Sequence, residues 1–365
     1  MRYLAIAAAL AAVAAFGDIN DWENPEVNSR NRLPARSYSM PLADERAALT
    51  EDLEPATPYR LYLNGDWKFS WVGDPGRRPT DFFKTDFDDS AWTTIDVPSC
   101  VELRGYGCPG YTNVRYPHRQ AWPKILDRDS GTPSYNPVSS YRRTFAVPAD
   151  WQGRDVILRF DGVYSAYYVW INGKLAGYAE DSKLPSEFDI TGLLAGNGEN
   201  VIAVQVFRWC DGSYLEDQDM FRFSGIFRDV SLWAKPKEGI WDFNVKASAD
   251  GTISVDGIAG DWSGTLYDAD RKPVAKLAQN AKTQTIRQVS LWSAEKPYLY
   301  TLVLKKGDDI RTKRIGFKDQ KVVGNAFLIN GKAVKLRGVN RHDASPENGR
   351  AVTMAEMLAD IALMK

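Results

Sequence analysis

From residue 59 to about residue 235 the chain alternates between short apolar runs and clusters of Gly, Pro, Asn and Asp. WKFSWV, DVILRF, AYYVWI and VIAVQVF are each of strand length, and no helical period competes with them, so the segment is predicted to be antiparallel β throughout. YYVWINGKLAGYA joins two such runs through Asn172-Gly173, a pair that accepts the positive φ angles of a type I′ hairpin turn. A jelly-roll β-sandwich is the architecture expected of residues 59–236.

A second set of turn-bounded runs, FNVKAS, GTISVDG, GTLYDAD, YLYTLVL and TKRIGFK, fills residues 237–321. About 85 residues of such strands suit an immunoglobulin-like sandwich. The pattern then changes. KAVKLRGVN reads as a strand, and Thr353 opens a helix through Leu363, with Thr353 and Glu356 forming a capping box that satisfies free backbone N–H groups of the first turn. Residues 322–365 thus resemble the start of an α/β unit, and with no Gly or Pro stop after Lys365 the expectation is a third domain begun and cut off. Ahead of the first sandwich, residues 18–58 are polar, Pro-containing and without period, which predicts an extended arm. The mostly β chain is therefore expected to hold two complete units and a partial third, in keeping with single cores that stop growing at about 250–300 residues.

Composition excludes some partners. The 365 residues carry 46 Lys plus Arg against 47 Asp plus Glu, a net charge of −1, so no basic field draws nucleic acid or anionic lipid. Arg2 precedes an apolar run from Leu4 to Phe16 with Ala12-Val13-Ala14 as a small-x-small cleavage site, which reads residues 1–17 as a secretory signal and the protein as exported, periplasmic or secreted. The run is shorter than the ~18 residues needed to span a bilayer, and no membrane partner is expected. Export permits disulfides. Cys100, Cys108 and Cys210 give no framework, although Cys100 and Cys108 flank a short Gly/Pro turn and could join locally. His118 and His342 lack zinc-ligand spacing, and His118 is read as a loop residue.

No catalytic constellation is complete by spacing alone. The densest polar cluster is SYLEDQDMFRFSGIFRDVSLW, where Glu216, Asp217 and Asp219 lie beside aromatics; read bare, it is a solvated acidic turn. The strings LNGDWKFSW, VPSCVELRGYGCPGYTNVRYP, FDGVYSAYYVWINGKLAGYAEDSKLPSEFDIT and RWCDGSYLEDQDMFRFSGIFRDVSLWAKP resemble the sugar-binding domain of glycoside hydrolase family 2, in particular its large β-galactosidases. LWSAEKPYLYTLVL with RIGFK resembles the family's immunoglobulin-like domain. INGKAVKLRGVNRHDASPENGRAVTMAEMLADIALMK resembles the first strand and helix of its (β/α)8 barrel. SEFD together with SYLEDQDM favours galactosidase over the related glucuronidases.

The resemblance implies site residues. Asn113 in YTNVRYP is similar to an asparagine that reaches the galactose pocket, though spacing alone favours an Asx turn. Asp219 resembles the residue that contacts galactose hydroxyls and helps bind sodium, both suited to a carboxylate. His342 in GVNRHD resembles a substrate-contacting histidine at the end of the first barrel strand; the bland alternative is a packing role at that strand end. The family's two catalytic glutamates, about 5–5.5 Å apart in a retaining glycosidase, and its magnesium ligands belong to later barrel strands. Asp343 and Glu347 match no catalytic position, and Ala344 and Ser345 stand where the family often has histidines. The full-length reaction implied is retaining hydrolysis of terminal non-reducing β-D-galactose residues, by an enzyme that forms homo-oligomers in the family. This chain alone is expected to be inactive. The alternative is a non-catalytic carbohydrate-binding or adhesion module, which would show a separate aromatic-lined cleft rather than residues gathered where the barrel begins.

Overall fold

The computed structural model describes residues 20–50, 55–129, 131, 135–196 and 198–365; the expected signal over residues 1–17 lies outside them. The first unit is a two-sheet sandwich. Its larger sheet runs in the order Ser29–Arg30, Lys174–Ala179, Ala166–Ile171, Asn200–Phe207, Val138–Phe145, Gly65–Val72, Thr93–Val97, and the smaller in the order Ser186–Asp189, Asp155–Phe160, Val230–Lys235, Arg60–Tyr62. Strand alternation explains the core. Val169, Ile171, Ile202 and Val204 from one sheet meet Leu158, Phe160, Phe188 and Leu232 from the other, all fully buried. Each such side chain contributes about 1.5–3 kcal/mol by leaving water. The predicted hairpin is present, with Asn172 at φ 50 and Gly173 at φ 80.

The second unit packs a three-stranded sheet (Asn244–Ala247, Thr252–Asp256, Thr283–Thr285) on a four-stranded one ordered Pro273–Ala278, Ser263–Tyr267, Tyr300–Lys306, Asp309–Ile315. Ile253, Val255, Leu266, Leu302 and Phe317 fill its separate core.

The arm differs from the expectation of a simple extended segment. Ser29–Arg30 adds a strand to the first unit, and a short helix, Glu45–Ala48, is capped by the Asp44 carboxylate on the Ala47 N–H at 2.8 Å. Met40, Leu42 and Ala48 then bury themselves between Ile157 and Trp233 of the first unit and Val303 of the second. Leu42 donates its backbone N–H to the Ile310 carbonyl at 2.9 Å. The arm is the mortar between the two sandwiches.

Of the strand expected over KAVKLRGVN only Lys332–Ala333 forms, as the last strand of a meander with Gln320–Val323 and Ala326–Ile329. Residues 334–342 carry no regular structure, and Leu336 and Val339 are exposed. A barrel strand takes its ladder from neighbours on both sides; here Val334 donates its N–H to the Phe327 carbonyl at 2.9 Å, and beyond it no strand among the described residues continues the ladder. The capped helix is as expected. Thr353 and Glu356 each receive the other's backbone N–H, and the helix spans Met354–Met364. No helix among the described residues is long and apolar enough to cross a membrane.

Candidate functional site

The site begins with a two-stranded ribbon, Gly110–Thr112 against Met220–Arg222, in the register Tyr111 opposite Phe221. Arg222, fully buried, holds the acidic turn onto this ribbon: its Nε donates to Thr112 Oγ1 at 2.9 Å, Nη2 donates to the Gln218 carbonyl at 2.6 Å, and Nη2 pairs with Asp217 at 2.5 Å. Glu216 accepts from the Ser182 N–H at 2.8 Å and its hydroxyl at 2.5 Å. Two of the three acidic residues are therefore structural ties, not solvated charges. Asp219 is left exposed at the ribbon's edge, where it accepts a hydrogen bond from the Tyr111 hydroxyl. That bond raises the Tyr111 pKa and keeps the phenol as the donor.

Asp219 and His342 line one cavity of about 510 Å³, although they come from the first sandwich and from the segment after the meander. The loop that carries His342 is anchored on the sandwich. Arg350 donates its backbone N–H to Cys100 Sγ at 3.3 Å, its guanidinium donates to the Phe221 carbonyl at 3.2 Å, and its Cζ lies 5.1 Å from the Tyr164 ring centroid. Asp343 pairs with Arg228 at 3.9 Å and with Arg341.

Lys183, Arg228, Arg341 and Arg350 outnumber the carboxylates of Asp219 and Asp343 in the lining, an excess of cations that sequence reading missed because these residues are spread over the chain. Burial is the main cause lowering the Lys183 pKa, with Arg350 adding repulsion. Asn113 follows the ribbon strand but lies outside the cavity lining. It is exposed, and its Oδ1 accepts from the Val114 N–H at 2.8 Å, a contact within its own loop.

His118 lies in a loop, as expected, but it is not solvated there. It is buried among Tyr116, Tyr214 and Trp209, with ring centroids at 5.5, 4.5 and 5.8 Å, and burial lowers its pKa. Cys100, Cys108 and Cys210 are all unpaired, because Cys100 is buried under Arg350 while Cys108 is exposed. The cluster of described residues able to hold a metal is Glu180, Cys210 and Asp211, whose ligand atoms lie within 4.8 Å of one another. Burial pushes Glu180 up to about 8, so a cation there has to displace a proton.

Comparison with known proteins bears on the family of the chain. Residues 61–236 match "Glycosyl hydrolases family 2, sugar binding domain", residues 227–318 match "Glycosyl hydrolases family 2", and residues 320–365 match "Glycosyl hydrolases family 2, TIM barrel domain". The chain belongs to glycoside hydrolase family 2. It is 41% identical to a β-galactosidase of Priestia megaterium over 94% of this chain and 36% of that protein, and 39% identical to one of Pectobacterium atrosepticum over 94% and 35%. The chain thus spans about a third of the length of these curated relatives. Among solved structures it resembles a β-glucuronidase of an uncultured Clostridium at TM-score 0.66 and 25% identity, covering 86% of this chain and 55% of that one.

Proposed function

We propose that this chain forms the N-terminal part of a retaining β-galactosidase acting on terminal non-reducing β-D-galactosides. The observation that carries the reading is the shared cavity of Asp219 and His342, two residues singled out by separate motifs and brought together from different units. Asp219 accepts hydrogen bonds from sugar hydroxyls, His342 contacts the substrate across the cavity, and Tyr111 orients the carboxylate. Asn113 joins this wall if its loop turns inward on binding.

In this reading the nucleophile and acid glutamates and the magnesium ligands are supplied by later barrel strands, so the 365 residues alone do not turn over substrate. Asp219 supplies one oxygen to a sodium ion. The lining offers two carboxylates, Asp219 and Asp343, against four cationic side chains, and Asp343 is taken up by Arg228 and Arg341, which leaves too few oxygen donors for a hard cation; further ligands come from elsewhere and no chemical step is assigned to the ion. Residues 1–17 direct export.

The test is a pair of assays. The 365-residue chain is expected to show no hydrolysis of a chromogenic β-galactoside; turnover abolished by Asp219→Ala in this chain overturns the division of labour. In the longer reading frame, Asp219→Ala removes charge-assisted hydrogen bonds of about 1.5–3 kcal/mol, a loss of ~10- to 100-fold in kcat/KM. A frame that prefers a chromogenic β-glucuronide would favour the cationic lining as a carboxylate site and displace the galactoside reading.

A further inference from the structure

The sandwich has a second cleft on the outer face of its larger sheet, away from the inter-sheet core. Val169, Ile171, Val204 and Val206 point into the inter-sheet core, so strand alternation turns Tyr168, Trp170 and Gln205 to the outer face. Residues 20–30 and the crossing segment 74–92 cover this face incompletely and leave a cleft of about 310 Å³ that shares no lining residue with the Asp219 cavity.

Its floor is aromatic and fixed in place. Trp170 lies parallel to Phe83, with ring centroids 5.1 Å apart and planes at 10°, and meets Phe82 edge-on at 5.5 Å. Trp170 is half-buried, and Leu175 is exposed at the rim.

Arg78 stands in the same cleft. Its Nη1 donates to the Pro75 carbonyl at 2.7 Å, and its Cζ sits 5.2 Å from the Trp22 ring and 5.9 Å from the Phe207 ring, two rings stacked at 4.0 Å. Among the described residues no carboxylate pairs with it. The nearby Asp21 is engaged by Arg30 through two contacts of 2.7 Å and by the Tyr168 hydroxyl at 2.9 Å. Asp74 accepts from the Gly76 N–H at 2.7 Å. Burial lowers the Arg78 pKa, the mark of a cation deprived of water without receiving a counter-ion.

A guanidinium fork matches a carboxylate through two parallel N–H···O bonds, and an immobilised indole face matches the C–H face of a pyranose. We propose that this cleft is a second, non-catalytic saccharide site for a sugar that bears a carboxylate, with the ring on Trp170 and the carboxylate on Arg78. A neutral sugar would leave the guanidinium as it is now, without an anion. The proposal does not depend on the galactosidase reading.

The full 365-residue chain is titrated with methyl β-D-glucuronide and with methyl β-D-glucoside by ligand-observed NMR. The uronide is expected to bind with a millimolar Kd and the glucoside about tenfold more weakly. Arg78→Met abolishes that preference, Arg78→Lys keeps part of it, and Trp170→Leu weakens both sugars about tenfold, each variant being checked for an unchanged thermal transition. Should Arg78→Met not fold, Arg78→Lys carries the comparison. Asp219→Ala leaves uronide binding intact. Equal binding of the two sugars overturns the proposal, as does no binding of either. Uronide binding that survives Arg78→Met but is lost in Asp219→Ala places the sugar in the other cavity and overturns it too.

Discussion

The backbone N–H of Arg350 donates to the sulfur of Cys100 at 3.3 Å, and this contact docks the segment before the last helix onto the first sandwich. The approach is close because Gly349 precedes it. Gly349 has φ +59, and a Cβ there would lie 3.0 Å from Leu103 Cδ1, 3.1 Å from Cys100 Sγ and 3.3 Å from a Phe223 ring carbon. Gly349→Val combines crowding with a backbone angle that β-branched residues avoid, at about 1–3 kcal/mol. Limited proteolysis is expected to cut residues 334–353 faster in the variant while the sandwich persists. Equal cutting rates would show that the docking does not depend on this glycine.

The three cysteines differ in environment enough to be counted by labelling. Burial pushes the Cys100 thiol up to about 11 and Cys210 well above its usual value, whereas Cys108 is exposed. Only the thiolate reacts with a disulfide reagent. At pH 8 one equivalent should react quickly and the other two only on unfolding, and Cys108→Ser should eliminate the fast phase. Two fast equivalents would contradict the burial of Cys100.

Arg36 ties the arm to the sandwich through Glu187, donating from Nε at 2.8 Å and from Nη2 at 2.7 Å, and Arg159 donates to the same carboxylate at 2.8 Å. All three side chains are about 6% exposed, so water cannot replace a lost partner. Arg36→Met is expected to destabilise the chain by about 3 kcal/mol, read from denaturant unfolding. A loss under about 0.5 kcal/mol would match a solvated surface pair instead.

Glu180 should give stability a slope against pH. Desolvation raises its pKa from 4.5 to about 8, while the Tyr178 hydroxyl donates to Oε1 at 2.5 Å. Between those two values the folded chain keeps a proton that the unfolded chain has released, so stability falls as pH rises through this window. Glu180→Gln removes the ionisation at constant shape. With chelator present, its thermal midpoint should exceed that of the parent at pH 8.5 and the difference should shrink towards pH 5. A parent midpoint that rises from pH 5 to pH 8 while the variant's stays flat would reverse the assignment.

What could be read from sequence was local. Asn172-Gly173 turns a hairpin because both residues tolerate positive φ; Val169 and Ile171 face inward because strand side chains alternate; Thr353 and Glu356 cap a helix because they sit three residues apart. The motifs around Asp219 and His342 also pointed to one site, but only through resemblance to a family.

The tertiary structure decided the rest, because the partners are far apart along the chain. Arg36 and Glu187 are 151 residues apart, and Glu102 and Ser224 are 122 apart. Neither pairing has a sequence period to announce it. The same holds for Asp217 on Arg222 and Glu216 on Ser182, which turned an acidic loop into a braced one, and for His118, whose burial depends on aromatics from other loops. Residues 334–342 show the converse: a strand-like pattern forms no ladder without neighbouring strands to supply its hydrogen bonds. Sequence alone determined which elements this chain prefers and where its turns fall, since backbone torsions and side-chain alternation respond to adjacent residues. Packing alone decided which charges are neutralised, which polar groups are buried and which faces stay open as cavities, since those energies depend on atoms that come together only when the whole fold closes.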